Sequence, residues 1–359
     1  MNGKLSFLSA ACFAFAATSG SVYAEDNAKP VFDENGVVHV PAFELPPSQL
    51  SSPEAQAFMK FRAKMHMNLP TMEPDIAKSR KALEAMLAPQ VAQVLKAYPV
   101  DVAEQAIAGV PTRVVTPKGK AVDPARVLIN LHGGAFNTCW ESCSVVESAP
   151  IASVGGYKVV SVNYRMAPEA AHPAGVEDVA TVYRELLKSY TAKHIGIYGC
   201  SAGGALTAEA AAWLPAHDLP QAAAIGIFGA GAVRFGAGDS AYIAGYVDGS
   251  FPAPAKPGET QMDMTRGYFA KADMSDAIIS PALHPEVLQK FPPTLIITGT
   301  RAMDMSPAIY TNTQLLKAGR RSTLVVGEAM GHCYLMSPTL PESRDAYDLI
   351  VRFFRENLH

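Results

Sequence analysis

A serine lies between small residues at positions 199–203, Gly-Cys-Ser-Ala-Gly, with an apolar β-rich run before it and an alanine-rich run after it. A glycine-rich turn of this kind can bind phosphate, allow close packing or hold a nucleophile. Phosphate binding is disfavoured, because no Lys-Ser or Lys-Thr follows the glycines and no acidic residue has the dinucleotide-binding spacing. In this context Gly-x-Ser-x-Gly is typical of a nucleophile elbow, a tight turn that exposes the Ser201 hydroxyl above a sheet.

A second glycine-containing loop follows an earlier apolar run, in the stretch LINLHGGAF. Glycines let backbone N–H groups approach one point without obstruction from a Cβ. In acyl transfer that point is the carbonyl oxygen that becomes negative in the transition state, and donors aimed at it stabilise the charge. The predicted oxyanion hole consists of Gly133, which shapes the loop, and the N–H groups of Gly134, Ala135 and Ala202, the residue after the serine.

Both loops fall within a regular alternation of elements that begins at about residue 126. Six apolar runs are expected to be strands: RVLINL, YKVVSVNY, HIGIY, AAAIGIFG, TLIIT and STLVV. Such near-continuous runs are typical of strands buried on both faces of a mostly parallel sheet. Helical patterns accompany them at 176–189, 205–214, 307–318 and 342–358. The sequence therefore predicts an α/β fold with a mostly parallel central sheet flanked by helices.

Two regions interrupt this alternation. Residues 45–98 have helical character and are rich in Met and Pro, and residues 232–280 are rich in Gly, Pro, Asp and Ser. Long insertions between regular elements are usually functional lids or disordered segments. Because both regions carry aromatic and Met residues, we expect an ordered cap; filling of core gaps is the alternative for any single Met.

Several stretches together resemble the α/β-hydrolase fold esterases that are similar to mammalian hormone-sensitive lipase. The resemblance covers about residues 125–335 and rests on HGGA, GCSAGG, VNYRMAPEAAHPAGVEDV, FPPTLIITGT and GEAMGHCY. It implies an α/β-hydrolase core with an N-terminal helical cap, and hydrolysis of small esters without a cofactor. Ala135 replaces the third glycine of that family's oxyanion motif; its N–H remains, so we expect the hole to persist if φ at Ala135 is negative.

His332, in the stretch GEAMGHCY, is the expected general base. It comes last in the order Ser, acid, His. It would take the Ser201 proton and later pass it to the leaving alcohol. His132 is expected to structure its loop, whereas the other histidines are interpreted as surface or packing residues.

The acid of the triad follows from the resemblance. In similar esterases it comes after the strand TLIIT, usually just after Thr-Arg, but here Ala302 has that position and Asp304 follows two residues later. A bulge or a helical turn absorbs such a shift. Glu328, four residues before His332, is the competitor, although similar esterases carry a glutamate there without using it as the acid. The predicted triad is Ser201, His332 and Asp304.

The first 24 residues predict export. Lys4 precedes an apolar run, and a stretch of small residues ends at Ala24, which is the layout of a secretory signal cleaved after that residue. The mature protein would be periplasmic or secreted. In an oxidising compartment Cys139 and Cys143 are close enough in sequence to form a disulfide, with two small buried thiols as the alternative.

Composition excludes several classes of function. The 359 residues are 49% hydrophobic with a net charge of −3, so the chain has no basic surface typical of nucleic-acid binding. No apolar run reaches the roughly 18 residues of a membrane span, and no cysteine spacing is typical of a metal site. We expect a signal peptide at 1–24, an N-terminal segment and helical cap at 25–110, and a core at 111–359 with a cap insertion at about 232–280.

The predicted function is that of an exported serine carboxylesterase. It would hydrolyse small or medium acyl esters through an acyl-enzyme, with no metal and no organic cofactor. The same triad could cleave amides as a peptidase or amidase, and the fold could also serve as a non-catalytic binding module; both alternatives stay open.

Overall fold

The computed structural model describes residues 29–64, 73–248, 251–256 and 258–359. The predicted signal peptide lies outside them. The chain divides into two units after Pro46. In the first unit, strands β1 (Val31–Phe32) and β2 (Val38–His39) pair antiparallel. The Asp33 carboxylate accepts N–H groups of the turn between them, which stabilises the hairpin.

The second unit contains an eight-stranded sheet within the described residues. Its strands are β3 (Val100–Ile107), β4 (Val110–Pro117), β5 (Val127–Leu131), β6 (Lys158–Val162), β7 (Ile195–Cys200), β8 (Ala224–Phe228), β9 (Thr294–Gly299) and β10 (Ser322–Gly327). Their order is β10-β9-β8-β7-β5-β6-β4-β3. Strands β5 to β10 pair in parallel, whereas β4 is antiparallel to both of its neighbours. The predicted α/β class and the six predicted strands are confirmed.

The sheet begins earlier in the chain than predicted. The expected boundary between residues 110 and 111 falls at the start of β4, and β3, which precedes it, pairs with β4 along its whole length. The boundary is therefore wrong: the core sheet starts at Val100. The reason is that β3 is an exposed edge strand with polar residues, so it lacks the apolar run of the other strands.

Helices cover both faces of the sheet. The helices of the described residues are α1 (Pro53–Lys64), α2 (Ile76–Ala97), α3 (Trp140–Gly155), α4 (Ala174–Leu186), α5 (Ala202–Ala216), α6 (Asp239–Val247), α7 (Pro285–Leu288), α8 (Met305–Lys317) and α9 (Pro341–Asn357), of which α3, α4, α5, α8 and α9 pack on the strands. Along β5, Val127 and Ile129 pack in a core cluster with α4, α5 and α8, whereas Leu128 packs in a cluster with α3 and α9. This alternation follows from the two-residue period of a strand and makes three layers, helices on either side of the sheet.

The two regions predicted as a cap differ in structure. Residues 45–98 contain α1 and α2, and Val94 of α2 packs on Val145, Val146 and Ala149 of α3. In residues 232–280 the described backbone forms α6 and otherwise mostly turns and bends. No helix among the described residues is long and apolar enough to cross a bilayer.

Candidate active site

Four loops that carry predicted site residues leave the same edge of the sheet. Strands β5, β7, β9 and β10 are parallel, so their carboxyl ends meet there. The loop after β5 carries the predicted oxyanion residues, and the turn after β7 carries Ser201. Asp304 follows β9 and His332 follows β10. The topology thus brings together residues that are far apart in sequence.

Ser201 occupies a strained turn between β7 and α5. Its backbone has φ 60° and ψ −122°, a conformation with positive φ that is uncommon for a residue other than glycine. A Cβ at Gly199 or at Gly203 would clash with the carbonyl oxygen of Leu131 in the neighbouring strand. The two glycines therefore allow the close packing that a nucleophile elbow requires.

Ser201, His332 and Asp304 form a continuous hydrogen-bonded chain. The Nε2 atom of His332 lies 2.9 Å from Ser201 Oγ, and its Nδ1 atom lies 2.6 Å from Asp304 Oδ1. A carboxylate accepts the Nδ1 proton, which leaves the Nε2 lone pair facing the serine hydroxyl. Asp304 is 1% exposed, and its second oxygen accepts a hydrogen bond of 2.6 Å from Thr298 Oγ1. The arrangement can transfer a proton from Ser201 to His332 and stabilise the charged imidazolium.

Turns after β9 bring Asp304 to the histidine. The Ala302 N–H donates to the Gly299 carbonyl, and the Met305 N–H donates to the Ala302 carbonyl. These turns accommodate the two-residue displacement of the acid relative to the family pattern. The competing carboxylate, Glu328, is exposed, and within the described residues no hydrogen bond joins it to His332.

The loop after β5 differs from expectation at one residue. Ala135 has φ 51°, so it does not adopt the negative φ on which the oxyanion prediction was conditional. The cause is a tight turn in which the Gly134 carbonyl accepts the N–H groups of Asn137 and Thr138, and both Ala135 and Phe136 adopt positive φ. The left-handed conformation costs an alanine roughly 1–2 kcal/mol.

The amide groups near Ser201 are not equivalent. The Gly133 N–H donates a 2.8 Å hydrogen bond to Glu147 Oε1, so it is not available to a substrate. The loop-shaping role of Gly133 stays a prediction, and this hydrogen bond fixes only its N–H. In the part of the chain that the structure describes, the N–H groups of Gly134, Ala135 and Ala202 have no hydrogen-bond acceptor. These three groups are the available donors at the site.

Buried aromatic residues support the loop after β5. The His132 ring stacks on Tyr164 with 4.5 Å between centroids, and its Nδ1 lies 2.7 Å from the Gly133 carbonyl oxygen. Burial lowers the pKa of His132 to about 4, so the ring is neutral and donates from Nδ1. The Tyr164 hydroxyl donates to the His132 carbonyl at 2.7 Å. His132 therefore structures its loop, as the sequence predicts.

Two disulfides lie beside the site. Cys139 and Cys143 are bridged at the start of α3, with 5.3 Å between their Cα atoms, which decides between the two predicted alternatives. The second disulfide, between Cys200 and Cys333, was not predicted. Cys200 directly precedes Ser201, and Cys333 directly follows His332. If Ser201 and His332 form a hydrogen bond, the adjacent residues Cys200 and Cys333 must also lie close together. The predicted triad could therefore have indicated this disulfide from the sequence.

Aromatic residues from the 232–280 region face His332. The ring of Phe251 lies 4.8 Å from the His332 ring and the ring of Phe235 lies 5.6 Å from it, both edge-to-face. The sequence analysis assigned the aromatic residues of this region to the cap in general terms and placed neither phenylalanine beside His332. These rings form an apolar wall next to the predicted general base. Among the described residues, no group of three or more His, Cys, Asp or Glu could hold a metal ion.

The family of the chain follows from comparison with known proteins. The family model for the alpha/beta hydrolase fold matches residues 128–336, which include the elbow, the loop after β5, Asp304 and His332. The chain belongs to this family, and within it to the group similar to hormone-sensitive lipase, as the resemblance implied.

Solved structures and a curated relative agree on the class of enzyme. The crystal structure of an esterase, E25, superposes with a TM-score of 0.76 at 26% identity, over 91% of this chain and 100% of that one. An esterase from the bacterial hormone-sensitive lipase family gives a TM-score of 0.74 at 26% identity, over 87% and 100%. An acetyl-hydrolase of Streptomyces hygroscopicus is 29% identical over 64% of this chain and 75% of its own length. The chain is therefore an ester hydrolase.

Proposed function

We propose that this ester hydrolase is an exported serine carboxylesterase that cleaves small or medium acyl esters through a covalent acyl-enzyme. The observation that carries the proposal is the hydrogen-bonded chain Ser201–His332–Asp304 beside three N–H groups that have no acceptor among the described residues. Nucleophile, base and orienting acid lie in the sequence order typical of the fold.

In the acylation step Ser201 Oγ forms a bond to the ester carbonyl carbon while its proton moves to Nε2 of His332. The carbonyl electron pair moves onto oxygen. When the tetrahedral intermediate collapses, the bond to the alcohol oxygen breaks, and the alcohol leaves with the proton from His332. Water then attacks the acyl-enzyme by the same sequence and releases the acid. Asp304 stays ionised, holds the imidazole in the required tautomer and stabilises the imidazolium.

The N–H groups of Gly134, Ala135 and Ala202 are the proposed oxyanion donors. Donors that are already oriented cost no reorganisation when the charge develops, and removal of one such donor typically costs 10²–10³ in kcat. The positive φ values at Gly134 and Ala135 belong to the turn that orients this loop. A Cβ at Gly134 would clash with the Thr138 carbonyl, so this position requires glycine.

The proposed substrates are esters with short or medium acyl chains. Phe235 and Phe251 lie edge-on to His332, and such an apolar wall favours an apolar group next to the reacting carbon. The name of the Streptomyces relative, an acetyl-hydrolase, agrees with a small acyl group. The 232–280 region and helices α1 and α2 are proposed to form the cap that limits the length of the chain.

Export is proposed from two features. The N-terminal 24 residues have the layout of a secretory signal. The four cysteines in the described residues are all paired in disulfides, which form and persist in oxidising compartments. Expression of the full chain in a bacterium, followed by mass measurement of the exported protein, tests this: a mature chain that begins at Glu25 is expected. Retention of an uncleaved chain in the cytosol would contradict export.

Two measurements test the catalytic proposal. A fluorescent phosphonate should label Ser201 of the wild-type chain and should not label Ser201→Ala; absence of labelling would favour the binding module. An ester and the matching amide, such as p-nitrophenyl butyrate and p-nitrobutyranilide, then separate esterase from amidase. We expect the ester to be cleaved faster than the amide, because an amine is the poorer leaving group; comparable rates would favour a peptidase or amidase.

A further inference from the structure

Glu147 is a buried acidic residue directly behind the proposed site. It lies in α3, which packs against the sheet, and the whole residue is 3% exposed. The reaction proposed above assigns it no role, because its carboxylate does not contact Ser201 or His332. Charged residues are rarely buried unless they are paired or hydrogen-bonded, so this carboxylate requires an explanation.

The Glu147 carboxylate accepts hydrogen bonds from the two backbone segments that make up the site. Its Oε1 accepts the Gly133 N–H at 2.8 Å, and its Oε2 accepts the Cys200 N–H at 3.3 Å. Oε2 also accepts from Asn130 Nδ2 at 3.0 Å. Gly133 directly precedes the proposed donors Gly134 and Ala135, and Cys200 directly precedes Ser201. One side chain thus connects the oxyanion loop with the nucleophile elbow.

The loop and the elbow also approach each other closely at this point. A Cβ at Gly133 would lie 3.1 Å from the Cys200 carbonyl oxygen and 3.4 Å from Ser201 Cβ. In the described residues, no direct hydrogen bond joins the backbone of Gly133 to that of Cys200 or Ser201. The carboxylate of Glu147 supplies the connection that these two backbone segments do not make with each other.

All three partners of the carboxylate are donors, which favours its ionised form. A protonated carboxyl would place its own hydrogen against a donor N–H, whereas a carboxylate accepts all three hydrogens. Burial raises the pKa of Glu147 to about 8 even though the hydrogen bonds from Gly133, Asn130 and Cys200 lower it, so the carboxylate form predominates only above that pH. The geometry alone shows that three donors converge on this side chain, and an amide, which has an NH₂ donor in place of one acceptor oxygen, cannot accept from all three.

We propose that Glu147 is a positioning residue that sets the distance and orientation of the oxyanion donors relative to the Ser201 nucleophile. The inference rests on the proposed function, since it assumes that Gly134 and Ala135 bind the developing oxyanion. It predicts a loss in the chemical step, because a displacement of about 1 Å between a nucleophile and its stabilising donors can cost about 10²-fold in rate.

The test is Glu147→Gln, which keeps the size of the side chain but replaces one acceptor oxygen by an NH₂ donor. A phosphonate burst first counts the competent serines, so that kcat is expressed per titrated site and misfolded protein does not contribute. We expect kcat per site to fall about 10- to 100-fold with KM within about threefold of wild type. The affinity for phenylboronic acid, whose tetrahedral serine adduct places a negative oxygen in the oxyanion hole, should fall by a similar factor.

The matched control is Glu209→Gln. Glu209 is also a buried glutamate, 1% exposed, but it lies two turns along α5 from Ser201 and contacts neither the oxyanion loop nor the elbow by a hydrogen bond. Both variants lose a buried carboxylate, so both can lose stability. Only Glu147→Gln should lose kcat per site and boronate affinity; Glu209→Gln should retain both within about twofold.

Several outcomes would overturn the proposal. If kcat per site and boronate affinity of Glu147→Gln stay within twofold of wild type, or if kcat falls while boronate affinity is unchanged, Glu147 does not position the donors. If Glu147→Gln does not fold, Glu147→Asp serves instead: it keeps the charge, but it is one methylene too short to reach both segments, so the same two losses are expected. An active Ser201→Ala would refute the proposed function itself, which separates that failure from a failure of this inference.

Discussion

Two regions that meet at His332 differ sharply in how they are built. The proposed triad residues lie in the turns that follow strands, Asp304 is 1% exposed, and a disulfide joins the neighbours of Ser201 and His332. The described part of the 232–280 region forms one short helix and many turns, and its Tyr246 is 81% exposed. The reacting groups are thus fixed by the sheet, whereas the wall beside them is provided by a segment with few regular hydrogen bonds. Under the proposed function, the first region would carry the chemistry and the second the choice of substrate.

The difference between the two regions predicts that substitutions in them change the rate by different amounts. Substitutions at the strand ends should change the rate by orders of magnitude for every substrate, because they alter the transition state itself. Substitutions in the 232–280 region should change the rate by small factors that depend on the substrate.

Ser201→Ala should abolish ester hydrolysis without unfolding the protein. Loss of a catalytic nucleophile typically costs on the order of 10⁶ in kcat. The Ser201 side chain makes no helix-capping hydrogen bond, so its removal should leave the thermal transition within a few degrees of wild type. Steady-state rates and circular dichroism measure the two effects. Retention of more than about one hundredth of the wild-type rate would refute Ser201 as the nucleophile.

Asp304→Asn should cost on the order of 10⁴ in kcat, because an amide no longer selects the productive imidazole tautomer. The control is Glu328→Gln, which removes the competing carboxylate and should stay near the wild-type rate because Glu328 is exposed. The same assay with a saturating short-chain ester compares both variants. Loss of activity in Glu328→Gln together with an active Asp304→Asn would reverse the assignment of the acid.

The two disulfides allow a test of what stabilises the part of the molecule that carries Ser201 and His332. Cys200–Cys333 closes a sequence separation of 133 residues and Cys139–Cys143 one of only 4. Loop-closure entropy then gives about 5 kcal/mol of stabilisation for the first and about 2 kcal/mol for the second. The double variant Cys200→Ala/Cys333→Ala should therefore unfold at a lower denaturant concentration than Cys139→Ala/Cys143→Ala.

The two double variants should also differ in activity. Since Cys200–Cys333 joins the neighbours of the nucleophile and the base, its removal should lower kcat about tenfold below the unfolding transition, through a less constrained Ser201–His332 distance. Denaturant titrations and rates at 15 °C measure the two properties separately. Equal rates in both double variants would show that the strand ends alone fix the triad.

The sequence predicts well the strands and the turns after them that carry Ser201, Asp304 and His332. The six buried parallel strands are near-continuous apolar runs, and the elbow requires small residues that are visible in the sequence at Gly199 and Gly203. Asp304 was found by resemblance, since its place is defined by the preceding strand. By contrast, Glu147 gives no local signal, because a glutamate in a helix is ordinarily exposed.

The elements that sequence reasoning missed share a physical cause. Helix α3 is buried over most of its length, from Ser142 to Ser153, so it has no polar face and no helical period, and it contains Pro150. Strand β3 was missed for the opposite reason: it is exposed and polar, so it has no apolar run in the sequence. The left-handed φ of Ala135 depends on a turn closed by Asn137 and Thr138 rather than on the residue itself. Each depends on tertiary context rather than on local composition.

The smallest change in rate is expected for substitutions in the 232–280 region. Phe251→Ala removes an aromatic ring 4.8 Å from the His332 ring and enlarges the space beside the reacting carbon. We expect kcat/KM for an acetyl ester to fall about two- to fivefold and the preferred acyl chain to lengthen, because a larger apolar space favours a larger apolar group by about 0.8 kcal/mol per buried methylene. The matched control, Tyr246→Ala, removes an exposed ring of the same segment and should leave the chain-length profile unchanged.

A panel of p-nitrophenyl esters from C2 to C16 measures the chain-length profiles of both variants and of the wild type. The wild type should prefer short and medium chains. If the wild-type rate rose steadily to C16, or if Tyr246→Ala shifted the profile as much as Phe251→Ala, the wall beside His332 would not be what limits the acyl chain.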